Sequence, residues 1–222
     1  MKPKILLLIP AYNAAKYIPE LIRRVSPYFK DESILIINDG STDTTQIEID
    51  KLQCHKINFP ENLGKGVALK RGFEFAVAHG CDAVITIDSD LQHRPEHLPA
   101  FLEAYDDADI LIGTRDINPR LMPYDRLLTN NLTSIIISIF GSIRIRDSQS
   151  GYRLIKTSVL KRLCLTSSRY DTESEMLFQS GYLGFTTGEV AIDTVYEGSH
   201  SFINPFKDTT RFIRQIWKRI WY

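Results

Sequence analysis

Along the first half of the chain, short unbroken apolar runs alternate with longer stretches of helical spacing. Ile5, Leu6, Leu7, Leu8 and Ile9 follow one another without a polar break, the pattern of a strand buried on both faces. Ile18, Leu21, Ile22 and Val25 then recur at helical spacing and stop near Pro27. Residues 34–37 predict a second buried strand, 54–57 a weaker one, and 84–87 and 109–112 two more. Helices are expected between them. One runs from Val67 to Ala78 behind the turn at Gly64 and Gly66; another is opened by Pro95, which suits a first helical turn.

This alternation predicts an α/β fold, a Rossmann-like, mostly parallel central sheet flanked by helices. Ligands of such sheets bind beyond the carboxyl ends of the strands. Three polar clusters stand immediately after predicted strands: Pro10 to Asn13, Asn38 to Ser41, and Asp88 to Asp90. They are expected to meet at one rim.

The second half is less regular. Residues 127–143 form an apolar helical stretch and 188–196 a late strand. Asp208 suits the cap of a final helix with Phe212, Ile213, Ile216, Trp217, Ile220 and Trp221 on one face. Arg211, Arg214, Lys218 and Arg219 make that helix basic. With no internal repeat or linker, residues 1–206 read as one domain and 207–222 as an amphipathic, basic C-terminal helix.

Composition changes this picture little. Acids and bases balance at 27 each, so no global field calls for a nucleic-acid partner, and none is expected. Cys54, Cys81 and Cys164 lie far apart, without a C-x-x-C pair. That argues against a zinc site or disulfide framework and for a reducing, cytoplasmic location. The first apolar run is too short for a secretory signal. No stretch reaches the ~20 apolar residues of a membrane span.

The strand-end clusters carry the candidate chemistry. Carboxylates as close as Asp88 and Asp90 repel unless a cation or strong donors compensate them. Mg2+ takes one or two carboxylates plus substrate phosphates, and Gln92 would add a neutral oxygen. A metal there would neutralise a diphosphate leaving group. The plainer alternative is a solvated turn with capping acids. Asp39 can accept hydrogen bonds from a base or ribose, with Gly40 permitting a close backbone approach; otherwise it makes an Asx turn before a helix cap. The loop from Asn62 to Gly66 lacks the full phosphate-loop pattern of NTPases. Its helix-start amides and Lys65 nevertheless suit a nucleotide. Arg115, Arg126 and Arg153 carry groups suited to bidentate phosphate contact. Glu173 and Glu175 would face different sides of a helix, so at most one is expected at the site. His93 and His97 lack a zinc-site sequence and read as surface or site-edge residues.

Taken in order, IPAYN (9–13), NDGSTDTT (38–45), NLGKGVA (62–68), TIDSDLQHRPEHLP (86–99), GTR (113–115), DSQSGYR (147–153) and GEVAI (188–192) resemble family 2 glycosyltransferases of the GT-A fold. The layout is similar to that of dolichyl-phosphate mannose synthases and polyprenyl-phosphate sugar transferases. The resemblance implies an inverting, metal-dependent catalytic domain using a GDP- or UDP-sugar. It implies that Pro10, Tyr12 and Asp39 hold the base and ribose, with Asn13, Gly40, Lys65 and Ser89 completing the donor site. Asp88, Asp90 and Gln92 would handle Mg2+ or Mn2+ and the diphosphate, and Arg115 and Arg126 the acceptor-side phosphate. Asn38 replaces the first acid of the usual D-D-G-S, and Ala14 stands where glutamate is frequent; both leave the base open.

A lipid-phosphate acceptor is already anionic, so catalysis would rest on alignment and charge stabilisation. A sugar-hydroxyl acceptor in glycan assembly would need a carboxylate to take its proton, with Glu175, Glu173 or Asp171 the candidates. The apolar stretch and the basic, aromatic C-terminal helix favour a polyprenyl phosphate and peripheral contact with the cytoplasmic membrane face. Packing of that stripe on the domain, or in a homodimer, is the competing reading. A nucleotidyltransferase would want a glycine-rich fingerprint near the first strand, which is missing. A noncatalytic nucleotide-sugar-binding scaffold is disfavoured by the intact Asp88 and Asp90.

Overall fold

A computed structural model describes residues 2–115, 145–168 and 171–193. The expectations for Arg126, for 127–143 and for 207–222 lie outside the described residues. In chain order the elements are β1 (Ile5–Ala11), α1 (Ile18–Val25), β2 (Ile34–Asn38), α2 (Thr45–Asp50), β3 (His55–Asn58), α3 (Lys65–Ala78), β4 (Ala83–Thr86) and α4 (Leu98–Glu103). They continue as β5 (Ile110–Arg115), β6 (Arg153–Lys156), α5 (Thr157–Leu160), α6 (Asp171–Tyr182) and β7 (Thr187–Ile192). Each predicted strand is present with its ends moved by one to three residues, except that the late strand predicted over 188–196 is Thr187–Ile192, with 194–196 outside the described residues.

The seven strands form one sheet in the order β3-β2-β1-β4-β6-β5-β7. All ladders are parallel except those of β6, which runs against both β4 and β5. The architecture is the expected mostly parallel sheet with flanking helices. Strand β6 is a departure, because four residues opening on a charged Arg153 give no strand signal.

Successive strand residues face opposite sides, so an unbroken apolar run feeds two cores. Leu7, Ile9, Ile34, Ile36 and Ile85 pack with Ile18, Leu21 and Val25 of α1 and Leu98 and Phe101 of α4. Leu6, Leu8, Leu35, Ile37 and Val84 pack with Leu69 and Phe73 of α3 and Met176 and Leu177 of α6. Leu7, Leu8 and Ile9 have no exposed surface, and burial of each side chain is worth ~1.5–3 kcal/mol. Among the described residues no helix is long and apolar enough to cross a membrane.

What positions the site is the end of β1. Its ladder with β4 stops at Leu8, whereas the ladder with β2 continues to Ala11. Strand order reverses at β1, so this is the place where such sheets open a ligand crevice. Asp39 follows β2 and Asp88 lies two residues past β4, one on each side of it.

Candidate active site

The loop after β1 is stapled to the loop after β2. Asn13, in left-handed backbone at φ 50°, accepts hydrogen bonds on Oδ1 from Thr42 N (2.8 Å) and Asp43 N (3.4 Å), and its own N donates to Ser41 Oγ (3.0 Å). Asn13 therefore fastens two loops, with its acceptor oxygen already used. Pro10 lies inside β1, buried and in register with Ile37. Tyr12 is exposed, at 38%, as is Asn13 beside it. Asn38 Nδ2 donates to Gln46 Oε1 (2.7 Å), and Asn38 Oδ1 accepts from Ser41 Oγ (2.5 Å), so this amide is spent inside the framework.

Asp39 fastens the next loop. Its Oδ1 accepts from Leu63 N (2.8 Å) and its Oδ2 from Gly64 N (3.0 Å). Burial pushes its pKa above the ordinary value, although the two amides stabilise the anion. Gly40 stands at φ +62°, and a Cβ there would lie 2.1 Å from the Glu61 carbonyl carbon. The close approach that requires this glycine is to the 61–62 backbone. The anchored loop delivers Lys65, the first residue of α3, into the crevice.

Lys65 Nζ lies 2.5 Å from Asp88 Oδ1 and 2.9 Å from Glu173 Oε1. Burial opposes its charge, but Asp88 and Glu173 outweigh that and raise its pKa. Asp88 is disfavoured as an anion by burial, yet the charge of Lys65 holds its carboxyl below the usual range. Its other oxygen faces Gly151, where a Cβ would stand 2.5 Å from Asp88 Oδ2 and 2.9 Å from Lys65 Nζ. Asp90 behaves oppositely: burial, then repulsion from Asp88, raises its pKa. Gln92 serves Asp90 directly, its N donating to Oδ1 (3.0 Å) and its Nε2 to Oδ2 (2.7 Å). Offering Oε1 to a cation requires the Gln92 amide to turn. Leu91 is held at φ 60° to make this loop, a conformation that costs a bulky side chain ~1–3 kcal/mol. Ser89 is buried.

These acids fit a cation that is completed by its substrate. Among the described residues no three His, Cys, Asp or Glu side chains form a self-sufficient cage. Two carboxylates, one with ionisation disfavoured by its neighbour, match Mg2+ or Mn2+ whose remaining ligands are phosphate oxygens and water.

The 147–153 segment floors the crevice. Thr86 Oγ1 donates to Gly151 O (2.7 Å). Arg115 makes a two-point pair with the buried Asp147, through Nε to Oδ2 (2.5 Å) and Nη2 to Oδ1 (2.8 Å). Arg153, expected among phosphate-binding arginines, is instead 1% exposed and structural. It donates to the carbonyls of Ser150, Glu173 and Ser148, each at 2.7 Å. Glu175, a candidate base, turns away: it accepts from Ser167 N (2.9 Å), Thr166 N (3.0 Å) and Gln179 Nε2 (3.0 Å). The two glutamates do face different ways, and Glu173 is the one at the site. His93, read as a surface or edge residue, is 4% exposed, and burial pushes its pKa down to about 4. His97 Nε2 accepts from Asp193 N (3.0 Å).

Comparison with known proteins agrees with this geometry. The profile for "Glycosyl transferase family 2" matches residues 7–164. The UDP-N-acetylglucosamine–dolichyl-phosphate N-acetylglucosaminyltransferase of Methanococcus voltae is 32% identical over 216 residues, covering 86% of each chain. The polyprenol monophosphomannose synthase of Mycolicibacterium smegmatis is 28% identical, covering 84% of this chain and 76% of its own. The crystal structure of glucosyl-3-phosphoglycerate synthase from Mycobacterium tuberculosis with Mn2+, UDP and phosphoglyceric acid superposes with a TM-score of 0.76 at 18% identity. That match covers 98% of this chain and 78% of the other, and it bears on the fold. A mostly parallel sheet with loops converging beyond β1, β2 and β4, and a sequence that matches over more than two-thirds of its length, place this chain in glycosyl transferase family 2, as a glycosyltransferase.

Proposed function

We propose that the chain transfers a sugar from a UDP- or GDP-sugar to a polyprenyl phosphate, inverting the anomeric carbon. The observation that carries this reading is the convergence of Asp39, Lys65, Asp88 and Asp90 on one strand-end crevice. Asp88 and Asp90, with Gln92 after rotation of its amide, would hold Mg2+ or Mn2+. When bound, that ion supplies charge neutralisation to the departing diphosphate.

The chain's own residues do the rest. Lys65 brings a permanent positive charge to the crevice. Asp39 holds the 61–64 loop in place, and Tyr12 offers an exposed ring to the base. The acceptor phosphate oxygen attacks the anomeric carbon from the face opposite the leaving nucleoside diphosphate, and the carbon–oxygen bond to that diphosphate breaks. An already anionic nucleophile needs no base, which agrees with Glu175 being engaged by Thr166 and Ser167. Arg115, fixed by Asp147, and Arg126 would receive the acceptor phosphate. The lipid acceptor draws support from the printed activities of the Methanococcus and Mycolicibacterium relatives. Residues 1–206 would then form the catalytic domain, and the basic 207–222 segment would rest on the cytoplasmic membrane face.

The test is transfer of labelled sugar from UDP- and GDP-sugars into liposomes containing polyprenyl phosphate, with MnCl2 present. We expect label in the lipid phase only when the lipid phosphate is supplied. Asp90→Ala should lower the rate ~100-fold or more, because a metal contributes several kcal/mol to the transition state. Label appearing instead on an added oligosaccharide would contradict the lipid acceptor.

A further inference from the structure

We propose that Glu173 is a positioning residue: it draws the ammonium of Lys65 away from sole pairing with Asp88, so that Asp88 remains available to a divalent cation. The inference rests on the metal reading given under the proposed function and assigns to it a residue outside the strand-end loops.

Glu173 is firmly placed. It lies in the first turn of α6, and its backbone carbonyl accepts a 2.7 Å hydrogen bond from Arg153 Nη1. The same guanidinium binds the carbonyls of Ser148 and Ser150. Both carbonyls stand just before Gly151, which lies against Asp88. One buried arginine thus fixes the start of α6 relative to the floor beneath Asp88. The Glu173 side chain is 8% exposed, that of Lys65 17% and that of Asp88 27%. Asp88 is the most open of the three.

Charge then decides the consequence. Within this group Asp88, Asp90 and Glu173 carry three negative charges when ionised and Lys65 one positive charge, leaving two, which the Arg153 guanidinium behind Glu173 offsets in part. A divalent cation meets the negative charge that remains. An ammonium bound to Asp88 alone would compete with the metal for the same carboxylate. Shared with Glu173 at 2.9 Å, it can stay in the crevice when the metal takes Asp88. Glu173 is accordingly no proton acceptor: its carboxylate is already committed to a cation.

Glu173→Gln keeps the shape and an acceptor for Lys65 but removes the charge. Mn2+ binding to the protein saturated with UDP or GDP, followed by electron paramagnetic resonance, should weaken roughly 10-fold or more, the usual effect of losing a partner just outside the metal's ligands. Lys65→Met added to Glu173→Gln removes the competing ammonium and restores the net charge of two. Affinity should return to the wild-type value or exceed it. A purely structural role for Glu173 predicts a lower Tm with unchanged Mn2+ affinity, and that result overturns the proposal. So does a double variant that binds as weakly as Glu173→Gln. Wild-type protein that binds no Mn2+ would refute the metal reading itself; wild type that binds, with Glu173→Gln unaltered, refutes only the role of Glu173.

Discussion

Gly151 leaves no room for a side chain, since an added Cβ would sit 2.5 Å from a carboxylate oxygen of Asp88. Its backbone is not left-handed, so the constraint is one of space. Gly151→Ala must therefore move Asp88 or the floor itself. We expect binding of UDP with Mn2+ to weaken ~10-fold or more by calorimetry, since the variant disturbs a metal ligand's support. His93 offers a second test at this scale. Its pKa is about 4 folded and ordinarily 6.5, so the unfolded chain binds the proton more readily. Its contribution to stability is complete above pH 6.5 and is lost as pH falls through 4, by roughly 3 kcal/mol in all. Urea denaturation of metal-free protein should show wild type losing more stability than His93→Asn between pH 7.5 and 4.5. Parallel losses would contradict the buried, neutral imidazole. The placement of Asp88 and Asp90 beyond a strand end was legible from the apolar run before them. The burial of His93 was not, because a lone histidine beside exposed Arg94 gives no apolar pattern.

Among the elements, β6 and α6 were the least legible and matter most to the floor of the site. Strand β6 is four residues long and opens with a buried arginine, contrary to the apolar run that marked its neighbours. Helix α6 begins Asp171, Thr172, Glu173, Ser174, Glu175, all buried, so its inward face is polar where hydrophobic periodicity looks for apolar residues. Polar groups are buried here because they bind one another: Glu175 collects the 166–167 amides, and Arg153 collects three carbonyls. Such a network can be recognised only after the chain is folded. Arg153→Met should cost ~3 kcal/mol or more in urea denaturation, because three buried carbonyls lose a charged donor. A change below ~1 kcal/mol would mean that the arginine is dispensable to the floor.

For the molecule as a whole, the βαβα rhythm was enough to place three loops at one rim, because parallel strands bring their carboxyl ends together whatever the loops contain. The sequence order of motifs then carried the family. Which side chains would be consumed in holding the loops was not legible. Asn13 and Asp39 look like ligands in a linear sequence, and the fold also uses them as fasteners, since backbone amides 24 to 30 residues away reach them. The central claim is that Asp88 and Asp90 gather a cation and a diphosphate in this crevice. It is tested most directly by calorimetric titration of UDP and GDP with and without Mn2+ on wild type and Asp90→Ala. The account predicts that one of these nucleotides binds wild type strongly only with the metal, and that Asp90→Ala loses this gain. Equal binding with metal or chelator, in both proteins, would contradict it.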